Sequence, residues 1–138
     1  MTEKKTRLRD VPPCDAEAPC PAVVGDEGLA HLAFYSDDAE DITVIVTFWG
    51  CADIRFGSGG GKPGAQEVIN SAWLHARRAQ AAEASPEAVE VLKNLRHYAF
   101  AFPAYAFECL ADGYSFKTRP GHTPLKSASE LAQELRGV

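Results

Sequence analysis

The sequence feature that most constrains the fold is an eight-residue hydrophobic run, ITVIVTFW, over residues 42–49. Successive side chains of a β-strand point to opposite faces, so Val44 and Val46 would share one face and Ile45 would lie on the other. Both faces therefore carry apolar side chains. Strands of this kind are typical of the middle of a sheet, where both faces are covered. The run therefore predicts a central strand.

Several shorter segments predict the neighbours of this strand. Aromatic and small residues alternate from Tyr98, and a turn at Pro103 and Ala104 separates two such stretches, which predicts a hairpin. The acidic turn at residues 37–41 would join a preceding strand to the central one. Strands are accordingly predicted over residues 29–36, 42–49, 65–70, 98–102 and 105–111, and the central strand is expected to continue through Ile54 and Phe56.

Two helices are predicted in the middle of the chain from composition and capping residues. Residues 72–84 are rich in alanine, which has the highest helix propensity, and Asn70 or Ser71 would cap their amino end. A second helix is predicted over residues 85–94, because Ser85 is a favourable cap and a proline occupies the first helical position.

The carboxyl-terminal part is predicted to contain a connection at residues 114–126 and a closing helix that begins at Ser127 or Ser129. Together the predicted elements indicate an α+β fold. We expect an antiparallel sheet of about four to six strands, with two or three helices packed mainly on one face.

The chain has 138 residues, a length typical of one domain. Residues 1–27 contain several prolines among charged residues, and this composition predicts a disordered or extended tail. Residues 28–138 are expected to form a single α+β domain.

Composition and charge exclude several functional classes. The net charge is −5, opposite in sign to a surface that binds nucleic-acid phosphates, so no nucleic-acid partner is expected. No apolar run approaches the roughly 20 residues that span a bilayer, and the amino terminus lacks the apolar stretch of a secretory signal. We therefore expect an acidic, soluble, cytoplasmic protein without a membrane partner.

The cysteines do not predict a metal or cofactor site. Cys14, Cys20, Cys51 and Cys109 contain no CxxC pair and have no histidine at ligand spacing. Cys51 and Cys109 are expected to be small buried hydrophobic residues, whereas Cys14 and Cys20 could pair only in an oxidising compartment. The loop GSGGGKPG at residues 57–64 lacks the Ser or Thr that follows the lysine of a phosphate-binding loop. No metal and no cofactor is therefore expected.

Glu108 is a charged residue within the hydrophobic hairpin strand FECLA. Because burying an unpaired carboxylate is costly, Glu108 must lie at an edge, have a partner or serve a function. Arg96 and His97 precede the partner strand, and Glu67 lies in another short strand. These four residues are candidate catalytic residues, with His97 as a general base. The alternative is a salt-bridged network that fixes the register of the sheet.

Four motifs carry a resemblance to a known group of proteins: FxGCxxxxFG at 48–57, EVxNSxW at 67–73, RHYxFxF at 96–102 and FECxAxG at 107–113. In these motifs the chain resembles a widespread family of small bacterial proteins of uncharacterised function. The resemblance implies a soluble, intracellular α+β protein with no assigned activity. Within the second motif, Asn70 and Trp73 are candidate ligand-binding residues.

The chain also departs from the family pattern at two places. It lacks a Gly-His-Pro segment between the first two motifs, and Pro103 to Tyr105 stand where the family has a His-Asp-Ser turn. Both differences remove polar groups, so the resemblance lowers the expectation of catalysis.

Two hypotheses of function follow from the sequence. The first is a non-enzymatic protein-binding or accessory factor, because no catalytic set is evident and the net charge of −5 suits a protein partner. The second is a small-molecule-binding protein or enzyme that uses Glu108, Arg96 and His97 in a pocket beside the sheet.

Overall fold

The structure is a computed structural model that describes residues 2–14, 21–37, 41–59, 61–121 and 123–136. Within these residues the strands form two antiparallel sheets, and three helices cover the outer faces of those sheets. The five-stranded sheet contains, in spatial order, β1 (Lys4–Arg7), β6 (Gly64–Ile69), β7 (Arg96–Ala101), β8 (Tyr105–Ala111) and β5 (Asp53–Ser58). The four-stranded sheet contains β2 (Ala22–Asp26), β3 (Leu29–Tyr35), β4 (Ile42–Trp49) and β9 (Gly113–Pro120).

The hydrophobic run forms β4, which lies between β3 and β9. Its side chains at Val44, Val46 and Phe48 face the five-stranded sheet and belong to the main core. On its opposite face, Ile45 packs beneath the closing helix. Both faces of β4 are covered, which explains why both are apolar. The prediction of a central strand is therefore confirmed.

Aromatic rings fill the space between the two sheets. The ring centroid of Phe48 lies 5.4 Å from that of Phe107 and 5.7 Å from that of Phe100. Phe34 from β3 contacts Phe102, with ring centroids 5.5 Å apart. Aromatic pairs at these separations add stabilisation beyond the burial of their area. The two sheets are thus held together mainly by contacts between aromatic side chains of β3, β4, β7 and β8.

The first two helices, α1 (Ala72–Ala84) and α2 (Pro86–Val91), cover the outer face of the five-stranded sheet. Leu74 of α1 and Leu92 and Leu95 after α2 pack against Leu110 of β8. The amino ends are capped as predicted, since the hydroxyl oxygen of Ser71 accepts from the Leu74 amide and that of Ser85 accepts from the Ala88 amide. The second helix ends at Val91, before the expected residue 94.

The third helix, α3 (Pro124–Leu135), covers the outer face of the four-stranded sheet. Its amino end is capped by Thr123, which precedes the predicted start at Ser127 or Ser129. The hydroxyl of Ser127 forms a buried 2.7 Å hydrogen bond with that of Thr43 on β4. This bond and the contact of Leu131 with Ile45 attach α3 to the sheet.

The α+β class is confirmed, but the strands form two sheets where one was expected. The chain does not continue the central strand through Ile54 and Phe56, because Gly50 adopts a φ of +59° and turns it towards the other sheet. This positive φ favours glycine, and a Cβ atom at Gly50 would also lie 2.2 Å from the Asp112 carboxylate, so that this side chain would have to move. Because α3 covers the second sheet, the helices lie on both sides of the molecule.

Two segments predicted to lack regular structure are strands. The expected tail over residues 1–27 contributes β1 and β2, which pair with β6 and β3. The expected connection over residues 114–126 contains β9, in which Tyr114 and Phe116 alternate with polar residues and face the core. In β1 the sequence KKTR carries no hydrophobic signal, because all four side chains are exposed and the strand is held by backbone pairing.

A buried histidine lies on the α3 side of β3. The Nδ1 atom of His31 is 2.9 Å from the Thr47 hydroxyl oxygen, and Nε2 has no hydrogen-bond partner among the described residues. Burial lowers the pKa of His31 below its ordinary value of 6.5, although the nearby Asp26 carboxylate acts in the opposite direction. The folded protein therefore favours the neutral imidazole.

This histidine predicts acid sensitivity. The unfolded chain takes up a proton on His31 at a higher pH than the folded protein does, so the free energy of unfolding falls as the pH falls through about 6.5. Urea denaturation at pH 7.5 and 5.5 measures this change. His31→Phe should make the change smaller, whereas His75→Phe on exposed α1 should leave it unaltered. An equal pH dependence in the wild type and His31→Phe would contradict this assignment.

Candidate functional site

The four predicted catalytic residues do not converge, because they lie on opposite faces of the five-stranded sheet. Arg96 and His97 are neighbours in this strand and therefore point to opposite sides. His97 points to the outer face, where it meets Glu108. Arg96 pairs with Glu67 on the face that carries Tyr98, at an N–O distance of 3.5 Å. The predicted cluster is therefore two separate pairs.

On the outer face, His97 lies in a chain of hydrogen bonds that also contains Ser71 and Glu108. The Ser71 hydroxyl oxygen is 2.6 Å from His97 Nδ1, and His97 Nε2 is 2.8 Å from Glu108 Oε1. Ser71 is 3% exposed and His97 is 5% exposed, whereas the Glu108 side chain is 34% exposed. The chain therefore runs from a buried helix cap to a carboxylate at the surface.

The hydrogen bonds can be satisfied by a neutral imidazole. An ionised carboxylate only accepts hydrogen bonds, so the Nε2–H of His97 donates to Glu108. The Ser71 oxygen already accepts from the Leu74 amide, and its hydroxyl proton can donate to Nδ1. A neutral imidazole is then satisfied at both nitrogens. This tautomer is assigned from the hydrogen-bonding partners.

A serine, a histidine and a carboxylate in a row also occur in acyl-transfer enzymes, but this arrangement favours a structural role. A nucleophilic serine must reach its substrate, whereas Ser71 is almost fully buried and caps α1. The network joins the start of α1 to β7 and β8. Of its three residues, Glu108 is the one with substantial access to solvent.

Trp73 and Arg55 border this network on the solvent side. The Trp73 ring meets His97 edge-on, with centroids 5.2 Å apart, and the Arg55 guanidinium carbon lies 3.9 Å from the Trp73 ring centroid. A cation over an indole face is stabilising by about 0.5–2 kcal/mol. The candidate ligand-binding residue Trp73 is therefore already occupied by contacts within the chain.

Asn70, the other candidate ligand-binding residue, forms the turn between β6 and α1. Its φ is +59°, a backbone conformation that asparagine tolerates better than most residues. Its side-chain amide donates to the Thr2 carbonyl oxygen at 3.4 Å. These contacts account for asparagine at this position by local geometry.

A cavity that the sequence reading missed lies at one end of the space between the sheets. Its volume is about 410 Å³. Its walls come from the amino-terminal segment 7–14, from Phe34 of β3, from residues 62–66 at the start of β6 and from residues 100–102 at the end of β7. None of the predicted site residues lines it.

The walls of this cavity include three aromatic rings and two basic residues. Phe34, Phe100 and Phe102 are almost fully buried and contribute apolar surface. Arg7 and Lys62 also line the cavity, and among the lining residues that the structure describes there is no aspartate or glutamate. Within the part of the chain that the structure describes, neither cation forms an ion pair.

Two cysteines are in contact near the connection between the sheets. The Cys51 and Cys109 thiols share a hydrogen bond, which lowers the pKa of Cys51, while burial raises the pKa of Cys109. Cys109 is buried, as predicted, and Cys51 is partly exposed. Cys20 lies outside the described residues, so the expectation that it could pair with Cys14 only in an oxidising compartment stays a prediction. Over the described ranges, no group of three potential ligands could hold a metal ion.

No protein-family model, curated protein or solved structure matches the chain. The class that the fold defines is an α+β protein of two stacked antiparallel sheets with helices on both outer faces. The family resemblance carried by the four sequence motifs stays a prediction. In the described part of the chain, none of the helices has the length and apolar character needed to cross a membrane.

The structural role of the Ser71 network can be measured with two capping serines. Ser71→Ala removes both a helix cap and a buried hydrogen bond to His97, and should lower the free energy of unfolding by about 2–3 kcal/mol. Ser85→Ala removes a cap alone and should cost about 1 kcal/mol. Chemical denaturation of the two variants gives the difference. Equal costs would mean that the bond to His97 contributes nothing to stability.

Proposed function

We propose that this chain is a non-enzymatic binding protein that holds a small molecule in the cavity between its two sheets. The observation that carries the proposal is the cavity itself, with a volume of about 410 Å³ and walls supplied by both sheets. Small-molecule sites in proteins usually have volumes of roughly 300–1,000 Å³ and mainly apolar walls with a few polar groups. The cavity has this size, and its walls combine apolar side chains with a comparable share of polar surface.

The position of the ionisable side chains supports binding without catalysis. General acid–base catalysis needs a histidine or carboxylate within reach of the bound molecule, and none of the described residues that line the cavity is one. His97 points to the other face of the five-stranded sheet, under α1. The polar network and the cavity therefore have separate roles in this proposal.

A second candidate function, binding of a protein partner, is favoured by the edge strand β5. Ile54 and Phe56 are exposed on this strand, and the Phe56 ring stacks on Tyr105 with centroids 5.8 Å apart. An edge strand with exposed apolar side chains can pair with a strand of another protein. The cavity is preferred because its walls are already formed.

The binding proposal can be tested with octanoate and 1-octanol as probes. In two-dimensional ¹H–¹⁵N spectra, saturable shifts should cluster at the amides of Leu8, Val11, Ala65 and Phe100, which lie in the walls. Ala65→Trp should fill the cavity and weaken binding of both probes by tenfold or more, because a bulky side chain then competes for the same volume.

Ala79→Trp, which places the same ring on the exposed surface of α1, is the matched control and should leave both affinities unchanged. Ala65→Leu is a milder variant that should give an intermediate loss if the larger substitution disturbs folding. Shifts confined to β5, or the absence of saturable binding by either probe, would contradict a ligand site in the cavity.

A further inference from the structure

We propose that Cys51 and Cys109 form a site of reversible oxidation, in which Cys51 reacts with a hydroperoxide and Cys109 then closes a disulfide bond with it. Neither cysteine is among the residues that line the cavity, so the inference is independent of the proposed binding function. It follows from the contact between the two thiols, from their unequal exposure and from the connection in which Cys51 lies.

The first feature is the contact between the two thiols. Cys51 lies two residues before the start of β5, and Cys109 lies in β8, the neighbouring strand. The Ala52 amide donates to the Leu110 carbonyl oxygen at 2.8 Å, and Ile54 pairs in register with Cys109. Cys51 packs against the core cluster that contains Cys109, and the two thiols share a hydrogen bond. A disulfide bond requires cysteines on neighbouring backbone segments, as these are.

The second feature is that the two thiols differ in their access to solvent. Cys51 is partly exposed, whereas the Cys109 side chain is fully buried. A small oxidant from solvent therefore reaches Cys51 first. The hydrogen bond with Cys109 lowers the pKa of Cys51, and burial raises the pKa of Cys109. The accessible thiol is thus also the one that forms the reactive thiolate more easily, an arrangement typical of redox-sensing cysteines.

The third feature is the position of Cys51 in the connection between the two sheets. The chain leaves β4 through Gly50, whose φ is +59°, and enters the other sheet as β5. The Cys51 amide donates to the Gly28 carbonyl oxygen at 2.8 Å, and the next amide, that of Ala52, donates to β8. These two backbone hydrogen bonds hold Cys51 beside β8. The second thiol is therefore in place before oxidation begins.

The reaction balances with hydrogen peroxide as the oxidant. The Cys51 thiolate attacks one peroxide oxygen, so that an S–O bond forms and the O–O bond breaks, and the released hydroxide takes up the proton that Cys51 gave to solvent. The Cys109 sulfur then attacks the Cys51 sulfur. The S–S bond forms, the S–O bond breaks, and the Cys109 proton leaves with the second hydroxide as water. The two sulfur atoms together lose two electrons, and one peroxide gives two waters.

The intact mass of the full chain after treatment with hydrogen peroxide tests the proposal. The protein should lose the mass of two hydrogen atoms and regain it with dithiothreitol. Trypsin leaves Cys51 in the peptide 10–55 together with Cys14 and Cys20, and leaves Cys109 in the peptide 97–117. Chymotrypsin then cleaves between Cys20 and Cys51, so the linked pair can be identified.

Three variants assign the roles of the two thiols. Cys109→Ala should stop at the sulfenic acid, so its mass should rise by one oxygen atom and dimedone should label Cys51. Cys51→Ser should leave Cys109 unmodified, because Cys109 is shielded from solvent. Cys14→Ser/Cys20→Ser is the matched control, since it removes the two other cysteines, and should form the disulfide as the wild type does. Circular dichroism checks the fold of each variant, and the wild-type peptide map is independent of them.

Three results would overturn the inference. One is a disulfide that joins other cysteines while Cys51 and Cys109 stay reduced. Another is oxidation of wild-type Cys51 to the sulfinic acid with Cys109 still a thiol, which would mean that the two sulfur atoms do not meet. The third is a folded protein whose Cys51 stays unmodified at a peroxide concentration that oxidises the denatured chain. None of these results bears on the cavity, so they leave the proposed binding function standing.

Discussion

The structure depends on the burial of β4 on both of its faces. Phe48 and its same-face neighbours pack against the five-stranded sheet, and Ile45 packs against α3 on the other side. This strand therefore connects three layers of the molecule. Each large core side chain of this kind stabilises the folded state by about 1.5–3 kcal/mol through burial alone. The cavity exists because the two sheets held together here leave unfilled space at one end, near Phe34 and Phe102.

The alternation of side chains along β7 separates the two roles of its sheet. His97 points outward and, through Ser71 and Glu108, fixes α1 to the strands. Phe100 points inward and forms part of the cavity wall. One strand thus carries a buried polar network on one face and part of the cavity wall on the other. A polar network that is fully hydrogen-bonded rigidifies the sheet, and a rigid sheet keeps the cavity open.

The sequence predicted the elements whose signals are local. The periodicity of hydrophobic residues and the capping of helices both act within a few residues of the chain. These local signals identified the run 42–49, the caps at Ser71 and Ser85 and the hairpin of β7 and β8. The exposed strand β1 could not be identified from its side chains, since backbone pairing with β6 defines it. The pairing of His97 with Glu108 was predicted, whereas the inclusion of Arg96 and Glu67 was wrong because adjacent strand residues face opposite ways. The cavity could not be predicted, because segments distant in sequence form its walls.

The central claim is that the cavity between the sheets, and not the Ser71 network, is the binding site. A crystal structure with 8-bromooctanoate tests it directly, because anomalous scattering locates the bromine. The account predicts a bromine peak against Phe34 and Phe102, inside the cavity. A peak beside Trp73 and Glu108, or along β5, would contradict it.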